Sequence, residues 1–240
     1  MKAAAYCATR NLYPHLIPAI KSLLMHSGVE KIYLLIEDDE FPEWLPEECV
    51  TINASKQKYF PKTGVNYDSV FSYMAAMKIV LCEYLPRDLD RVLVLDVDTI
   101  VDQNIDELWD IPLDGYWFAG VADRGPTIDL DVPLYINNGV TVQNLKEIRK
   151  SAIWRKLVKA INTEKFFLFE QDILNKYSQG HILELPSKFN YFWCQDPCEW
   201  PAIIHHAGQR NSSLPGFTDV KKYAEKTWGE VLERRHGGKG

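Results

Sequence analysis

Short apolar runs alternate along this chain with segments in which apolar residues recur every three or four positions. Residues 2 to 8 form the first run and read as a strand. Pro14 opens a helix with Leu16, Ile17, Ile20, Leu23 and Leu24 on one face, and Ser27-Gly28 ends it. Residues 31 to 37, with Ile32, Tyr33, Leu34, Leu35 and Ile36 in succession, are a second buried strand. Strand, helix, strand at this spacing is a βαβ unit and predicts a parallel sheet. Residues 38 to 67 are rich in Pro, Lys, Asp and Gly and predict a loop with a short strand at 50 to 52. Asp68 is the expected cap of a helix through Glu83, with Phe71, Met74, Met77, Ile79 and Leu81 on a broad apolar face.

The pattern continues to the C-terminus. Residues 116 to 122 form a strand ending at Asp123, and 139 to 142 a short one. Asn144 with Glu147 is a capping-box signal for a helix through Ile161. Residues 170 to 178 read as a helix closed by Gly180, and 181 to 185 and 202 to 206 as short strands. Residues 218 to 235 predict a last helix with Val220, Tyr223, Ala224, Val231 and Leu232 on one face. No repeat, low-complexity stretch or clean linker interrupts the chain. The expectation is one α/β domain over residues 1 to 217, followed by a C-terminal helix and short tail over 218 to 240.

One strand carries chemistry. Arg91-Val92-Leu93-Val94-Leu95 is apolar without alternation, as in the middle of a parallel sheet, and runs into Asp96-Val97-Asp98-Thr99. With a strand's period of two, Asp96 and Asp98 would share one side and Val97 would anchor the other. Two like charges at the edge of a core repel and cost desolvation unless a cation sits between them. Oxygen ligands suit Mg²⁺ or Mn²⁺. The C-terminal ends of strands are where open α/β sheets bind ligands.

Bulk properties narrow the field. The chain has 240 residues, 46% hydrophobic and 25% charged, as in ordinary globular domains. A net charge of −6 gives no support to nonspecific nucleic-acid binding. No apolar run has the length of a membrane span, and the N-terminal run is too short for a signal peptide. Five scattered cysteines fit a reducing cytoplasm better than a disulfide framework. The expected location is cytoplasmic.

Four segments together carry a resemblance. They are Leu95-Asp96-Val97-Asp98-Thr99, Tyr135-Ile136-Asn137-Asn138-Gly139-Val140, Glu170-Gln171-Asp172-Ile173-Leu174-Asn175 and Ile203-Ile204-His205-His206-Ala207-Gly208. In this order and at these separations the chain resembles the retaining glycosyltransferases of family 8, the glycogenin-like and bacterial galactosyltransferase-like enzymes, over about residues 5 to 210. The resemblance implies a GT-A fold, a UDP-sugar donor, a glycan or glycosylated acceptor, and Mn²⁺ held by Asp96, Asp98 and His205. An imidazole beside two carboxylates moves preference from Mg²⁺ toward Mn²⁺, although Mg²⁺ also fits oxygen ligands.

The resemblance further implies a donor site. Ala8, Thr9, Asn11 and Tyr13 match the segment that holds uracil and ribose, with Tyr13 placed to stack on the base. Asp96 would also meet the ribose, with Val97 between the carboxylates. Lys78 stands where the family has a cation facing the donor. Asn137, Asn138 and Gly139 would shape the sugar pocket, and Asp123 would meet sugar hydroxyls. Gln171 and Asp172 match the catalytic region, with Glu170 in place of the usual Asp. Gly208 and Arg210 fall where the leaving diphosphate is bound. There the family's Lys-Pro-Trp is missing, and the run reads Gly208-Gln209-Arg210-Asn211-Ser212. No carboxylate is clearly placed as a nucleophile, which favours front-face displacement.

Other readings compete. A phosphatase-like Asp-x-Asp-x-Thr motif fails because Ile100 occupies the hydroxyl position. A retaining glycosidase needs carboxylates on opposite sides of the bond, about 5 Å apart. A degenerate nucleotide-sugar binder with little transferase activity is the non-enzymatic alternative. The tail's Lys221, Lys222, Lys226, Arg234 and Arg235, with Trp228 and Tyr223, allow contact with a membrane surface. Asp219, Glu225, Glu230 and Glu233 dilute that charge, and packing against the core is the preferred expectation.

Overall fold

A computed structural model of the chain describes residues 1–67, 71–125, 130–192, 198–207 and 217–237. The elements in the N-terminal half are β1 (Ala3–Cys7), α1 (Tyr13–His26), β2 (Lys31–Ile36), β3 (Cys49–Asn53), α2 (Tyr73–Ala76), α3 (Leu81–Tyr84), β4 (Arg91–Leu95) and β5 (Thr99–Val101). Then come β6 (Phe118–Ala122), β7 (Ile136–Asn144), α4 (Leu145–Ser151), α5 (Ile153–Thr163), α6 (Phe169–Tyr177), β8 (Ile182–Leu185), β9 (Ile203–His205), α7 (Phe217–Ala224) and α8 (Trp228–Gly237).

A seven-stranded sheet runs in the order β3-β2-β1-β4-β7-β6-β8. Its neighbours are parallel except around β7, which is antiparallel to β4 and β6. The mostly parallel α/β architecture expected from the sequence is present. Both faces of the sheet are covered. Ala3, Ala5, Val92 and Val94 join one apolar cluster, and Ala4, Tyr6, Leu93 and Leu95 join the other. Burial on two sides explains why β1 and β4 read as unbroken apolar runs. A second, two-stranded sheet pairs β5 antiparallel to β9, with Thr99 opposite His205.

Several expectations about the elements are corrected. The strand predicted at 139 to 142 is nine residues long. Its Asn137, Asn138, Thr141 and Gln143 are buried, so it does not look apolar. The helix expected to run to Glu83 is broken. Asp68 lies outside the described residues, and Ser72 caps α2 by accepting from the Met74 N–H. Residues 77–80 then tighten into a 3₁₀ turn, and the Lys78 carbonyl accepts from Gln143 Nε2 at 3.1 Å. That hydrogen bond takes an acceptor from the helical ladder. Phe71, expected on the buried face, is 41% exposed. The helix expected from Asn144 to Ile161 divides at Ala152, whose φ is 53°. The Asn144 cap itself is present, accepting from the Glu147 N–H at 3.2 Å.

The C-terminal helix is also two helices. Thr227 and Glu230 form a capping box that starts α8: the Thr227 N–H donates to Glu230 Oε2 at 2.7 Å, and the Glu230 N–H donates to Thr227 Oγ1 at 3.3 Å. Both helices contact α1. Tyr223 and Val231 are fully buried, Lys222 pairs with Asp102, and Arg235 pairs with Glu48. The apolar face of this region is packed against the domain. Among the described residues no helix is long and apolar enough to cross a membrane.

Candidate active site

The two aspartates do not lie on a strand. β4 ends at Leu95, and residues 96–98 form a turn. Thr99 closes it, donating to the Asp96 carbonyl from its N–H at 3.2 Å and from Oγ1 at 2.7 Å. The common direction of Asp96 and Asp98 therefore comes from the turn and not from strand pleating. Val97 packs against the core beneath them. The ladder between β5 and β9 brings in His205, and the His206 N–H donates to the Asp98 carbonyl at 2.9 Å.

His205 Nε2 is 3.4 Å from Asp98 Oδ1 and 3.8 Å from Asp96 Oδ2. One ligand atom from each of the three residues lies within 4.8 Å of the others. Two carboxylates and an imidazole at this separation fit a divalent ion of Mn²⁺ or Mg²⁺ type. The electrostatics agree. Burial disfavours charge on His205, but Asp98 and then Asp96 outweigh it and hold the imidazole above its ordinary pKa. Burial likewise disfavours charge on Asp98, and His205 outweighs it to hold the carboxyl below its ordinary value.

The other oxygen of Asp96 is occupied. Lys78 Nζ donates to Asp96 Oδ1 at 2.9 Å, lies 3.2 Å from Glu170 Oε1 and donates to the Asn138 carbonyl at 3.1 Å. Lys78 is 3% exposed. Burial opposes its charge, yet Asp96 and Glu170 raise its pKa. Burial and the nearby Asp96 raise that of Glu170, Lys78 counteracting. Lys78 is thus a buried partner of two carboxylates and not a solvated helix charge.

Gln171 is fixed at both ends. Its Oε1 accepts from the Asn138 N–H at 2.9 Å, and its Nε2 donates to Asp123 Oδ2 and the Tyr135 hydroxyl, each at 3.2 Å. Asp123 Oδ2 also accepts from Asn137 Nδ2 at 3.1 Å. Both oxygens of Asp172 are engaged, by the Tyr135 hydroxyl at 2.5 Å and the Leu168 N–H at 2.8 Å. Asp172 therefore holds the start of α6 and does not face an open site. Gly139 donates its N–H to Asn137 Oδ1 at 2.9 Å, and its carbonyl accepts from the Asp96 N–H at 2.7 Å.

A cleft of about 660 Å³ opens over the aspartates, with Thr9, Asn11, Leu12, His15 and Phe71 among its lining. Ala8 is fully buried and donates its N–H to the Leu35 carbonyl at 3.0 Å. Thr9 Oγ1 donates to Asn11 Oδ1 at 2.6 Å. Tyr13 departs from expectation. It is 6% exposed, its ring packs on Phe41 with centroids 5.1 Å apart, and its hydroxyl donates to Asp38 and accepts from the Glu37 N–H. A covered ring offers no face to a base. Arg10 holds the same Asp38 through Nε and Nη2. Leu12 and Phe71 are among the apolar residues that line the cleft, with Met74, Val97 and Ile100. Gly208 and Arg210 lie outside the described residues.

Asn190 also escaped sequence reading. It is fully buried, with its Oδ1 3.0 Å from His205 Nδ1 and its Nδ2 donating to Asn137 Oδ1 at 2.9 Å. Tyr135, which joins Gln171 to Asp172, stands in the sequence only as part of a motif. No local pattern marks such residues, because their partners are distant in sequence.

Comparison with known proteins shows the family and the fold. The family model for glycosyl transferase family 8 matches residues 3–211. Glycosyltransferase GlyA of Streptococcus pneumoniae is 26% identical, over 98% of this chain and 35% of the relative. Apo GlyE of Streptococcus pneumoniae superposes with a TM-score of 0.73 at 20% identity, over 99% of this chain and 63% of that one. Galactosyltransferase LgtC, solved with donor and acceptor sugar analogues, superposes with a TM-score of 0.69 at 21% identity, over 97% of this chain and 99% of that one. The fold is that of the GT-A glycosyltransferases. The chain spans about a third of GlyA and under two thirds of GlyE.

Proposed function

The chain belongs to glycosyl transferase family 8, and on that premise we propose that it moves a hexose, glucose or galactose, from a UDP-sugar to a glycan or glycosylated acceptor with retention at the anomeric carbon. The observation that carries this reading is the convergence of Asp96, Asp98 and His205, with both aspartates lining a cleft that Thr9, Asn11 and Leu12 also line. These three residues would hold Mn²⁺, or Mg²⁺ in its place. Such an ion, when bound, supplies positive charge beside the departing diphosphate.

The remaining roles follow from the chain's own contacts. Lys78 neutralises Asp96 Oδ1 and leaves Oδ2 turned toward His205. Asp123 gathers the amides of Asn137 and Gln171 and presents its carboxylate to the sugar hydroxyls. Gln171, clamped by the Asn138 N–H, sets the polar wall beside the anomeric carbon. Glu170 is ion-paired and Asp172 is doubly hydrogen-bonded, so neither is free to attack. This favours front-face displacement over a covalent intermediate. Leu12 and Phe71 offer the base an apolar surface in place of Tyr13.

Calorimetric titration with UDP tests the donor assignment. UDP should bind with Mn²⁺ present, lose affinity in EDTA, and bind more tightly than GDP or ADP. Equal affinity for the three nucleotides would remove the support for a uridine donor.

A further inference from the structure

Asn190 lies beyond the metal-binding atoms, yet the hydrogen bonds around it determine what His205 can do. The starting point is a backbone N–H, which can only donate. The Gly139 N–H is 2.9 Å from one side-chain atom of Asn137, which must be Oδ1. The Asn137 amide nitrogen then faces Asp123 Oδ2, an acceptor, at 3.1 Å. The Asn190 atom 2.9 Å from Asn137 Oδ1 must be a donor, hence Nδ2. That leaves Asn190 Oδ1 at 3.0 Å from His205 Nδ1. An amide oxygen only accepts, so Nδ1 must carry a proton.

The consequence falls on the other nitrogen. With Nδ1 protonated, the neutral imidazole has its lone pair at Nε2. Nε2 is the atom facing Asp98 Oδ1 and Asp96 Oδ2. A lone pair aimed at two carboxylates is repulsive without a cation among them. The backbone holds Asn190 in place for this. Its N–H donates to the Ser187 carbonyl at 3.1 Å. The next residue, Tyr191, donates to the Ile203 carbonyl at 2.9 Å and accepts from the His205 N–H at 2.8 Å. The two side chains thus sit on paired backbone segments. From Asn190 the hydrogen bonds continue through Asn137 and Asp123 to Gln171.

We propose that Asn190 is a positioning residue of the metal site, fixing His205 as the Nδ1–H tautomer and tying it through Asn137 and Asp123 to Gln171. This rests on the metal-dependent reading of the site above. Ring nitrogens of metal-binding histidines commonly donate in this way, and loss of the acceptor costs about 10- to 100-fold in metal affinity.

Mn²⁺ binding followed by electron paramagnetic resonance, with UDP present, compares wild type, Asn190→Leu and Asn190→Asp. Asn190→Leu has similar volume and no acceptor, and should bind Mn²⁺ about 10- to 100-fold more weakly. Asn190→Asp keeps the acceptor for Nδ1–H but loses the donor to Asn137 Oδ1, and should bind Mn²⁺ more weakly than wild type and more tightly than Asn190→Leu. An Asn190→Leu protein that melts like wild type without metal and binds Mn²⁺ equally well would overturn the proposal. So would an Asn190→Asp protein as weak as Asn190→Leu. A measurement on the unmutated, metal-free protein covers the case in which the leucine variant does not fold. Long-range ¹⁵N–¹H correlation of the neutral His205 ring should find the proton on Nδ1, and a proton on Nε2 would overturn the inference. Failure of wild type to bind Mn²⁺ would instead defeat the metal reading, with the tautomer still decided separately.

Discussion

The imidazole of His205 lies against the backbone of Gly139, so close that a Cβ built there would sit 2.0 Å from Cε1 and 2.7 Å from Nε2. Glycine at this position is required by the ring and not by a turn. Gly139→Ala should displace His205 from Asp98 and abolish Mn²⁺-dependent UDP binding. Overpacking of this kind costs about 1–3 kcal/mol, so the variant should remain folded. Calorimetry of UDP with Mn²⁺, beside a denaturant melt, checks both parts. Retained UDP affinity would show that the ring is not needed where it lies.

The Lys78 ion pairs predict a larger stability effect. Lys78→Met leaves Asp96 and buried Glu170 near each other without their cation. Removing one member of a buried charge cluster costs about 3–5 kcal/mol. Asp96 is 35% exposed in its side chain, so the lower end is expected. Glu170→Gln added to Lys78→Met should restore part of the loss, because the two sites are coupled. Urea unfolding of the metal-free proteins measures this. Additive single and double variants would mean that the pair is not coupled.

Metal and proton compete at His205. The folded imidazole has a pKa above 6.5, since Asp98 and Asp96 overcome the effect of burial. A raised histidine stabilises the metal-free fold below its unfolded pKa, and that contribution is lost as pH rises through the folded value. Metal needs the deprotonated nitrogen. The rise in melting temperature on adding Mn²⁺ and UDP should therefore be small near pH 6 and grow toward pH 8. A rise that does not change with pH would contradict the pairing of His205 with Asp98.

His26 gives the opposite sign at the C-terminal helices. Burial, reinforced by Arg234 and Lys222, pushes its pKa down to about 4. Its Nε2 is 2.7 Å from the Tyr223 hydroxyl, which donates to Asp102 at 2.8 Å. Below its ordinary value of 6.5 the unfolded chain takes the proton first, so stability falls as pH drops from 6.5 toward 4. His26→Gln keeps a donor without this titration, and its melting temperature should fall less over that window. Parallel pH profiles would show that His26 carries none of the acid sensitivity.

The elements that the sequence reveals are those whose pattern is local. β1, α1, β2 and β4 show in their apolar runs because each is buried on one continuous face or on two. Asp96 and Asp98 stand out because two carboxylates after such a run are costly. β7 is shortened in a sequence reading because its buried Asn137, Asn138, Thr141 and Gln143 are polar. The break after α2 depends on Gln143, which lies 65 positions beyond Lys78. Asn190 meets His205 across 15 residues and has no local signature. The Thr227–Glu230 capping box is a local signal, but the single helix expected over 218 to 235 runs straight through it; in the structure it marks the break between α7 and α8.

The central claim is a metal-dependent hexosyl transfer from a UDP-sugar. Its most direct test is proton NMR of the protein with UDP-glucose or UDP-galactose and Mn²⁺, following release of UDP and the anomeric signal of the sugar first formed. The account predicts that one donor is consumed, that the α-anomer appears first, and that EDTA or Asp98→Ala stops the reaction. A folded protein that consumes neither donor, that works equally well in EDTA, or that releases the β-anomer first would contradict it.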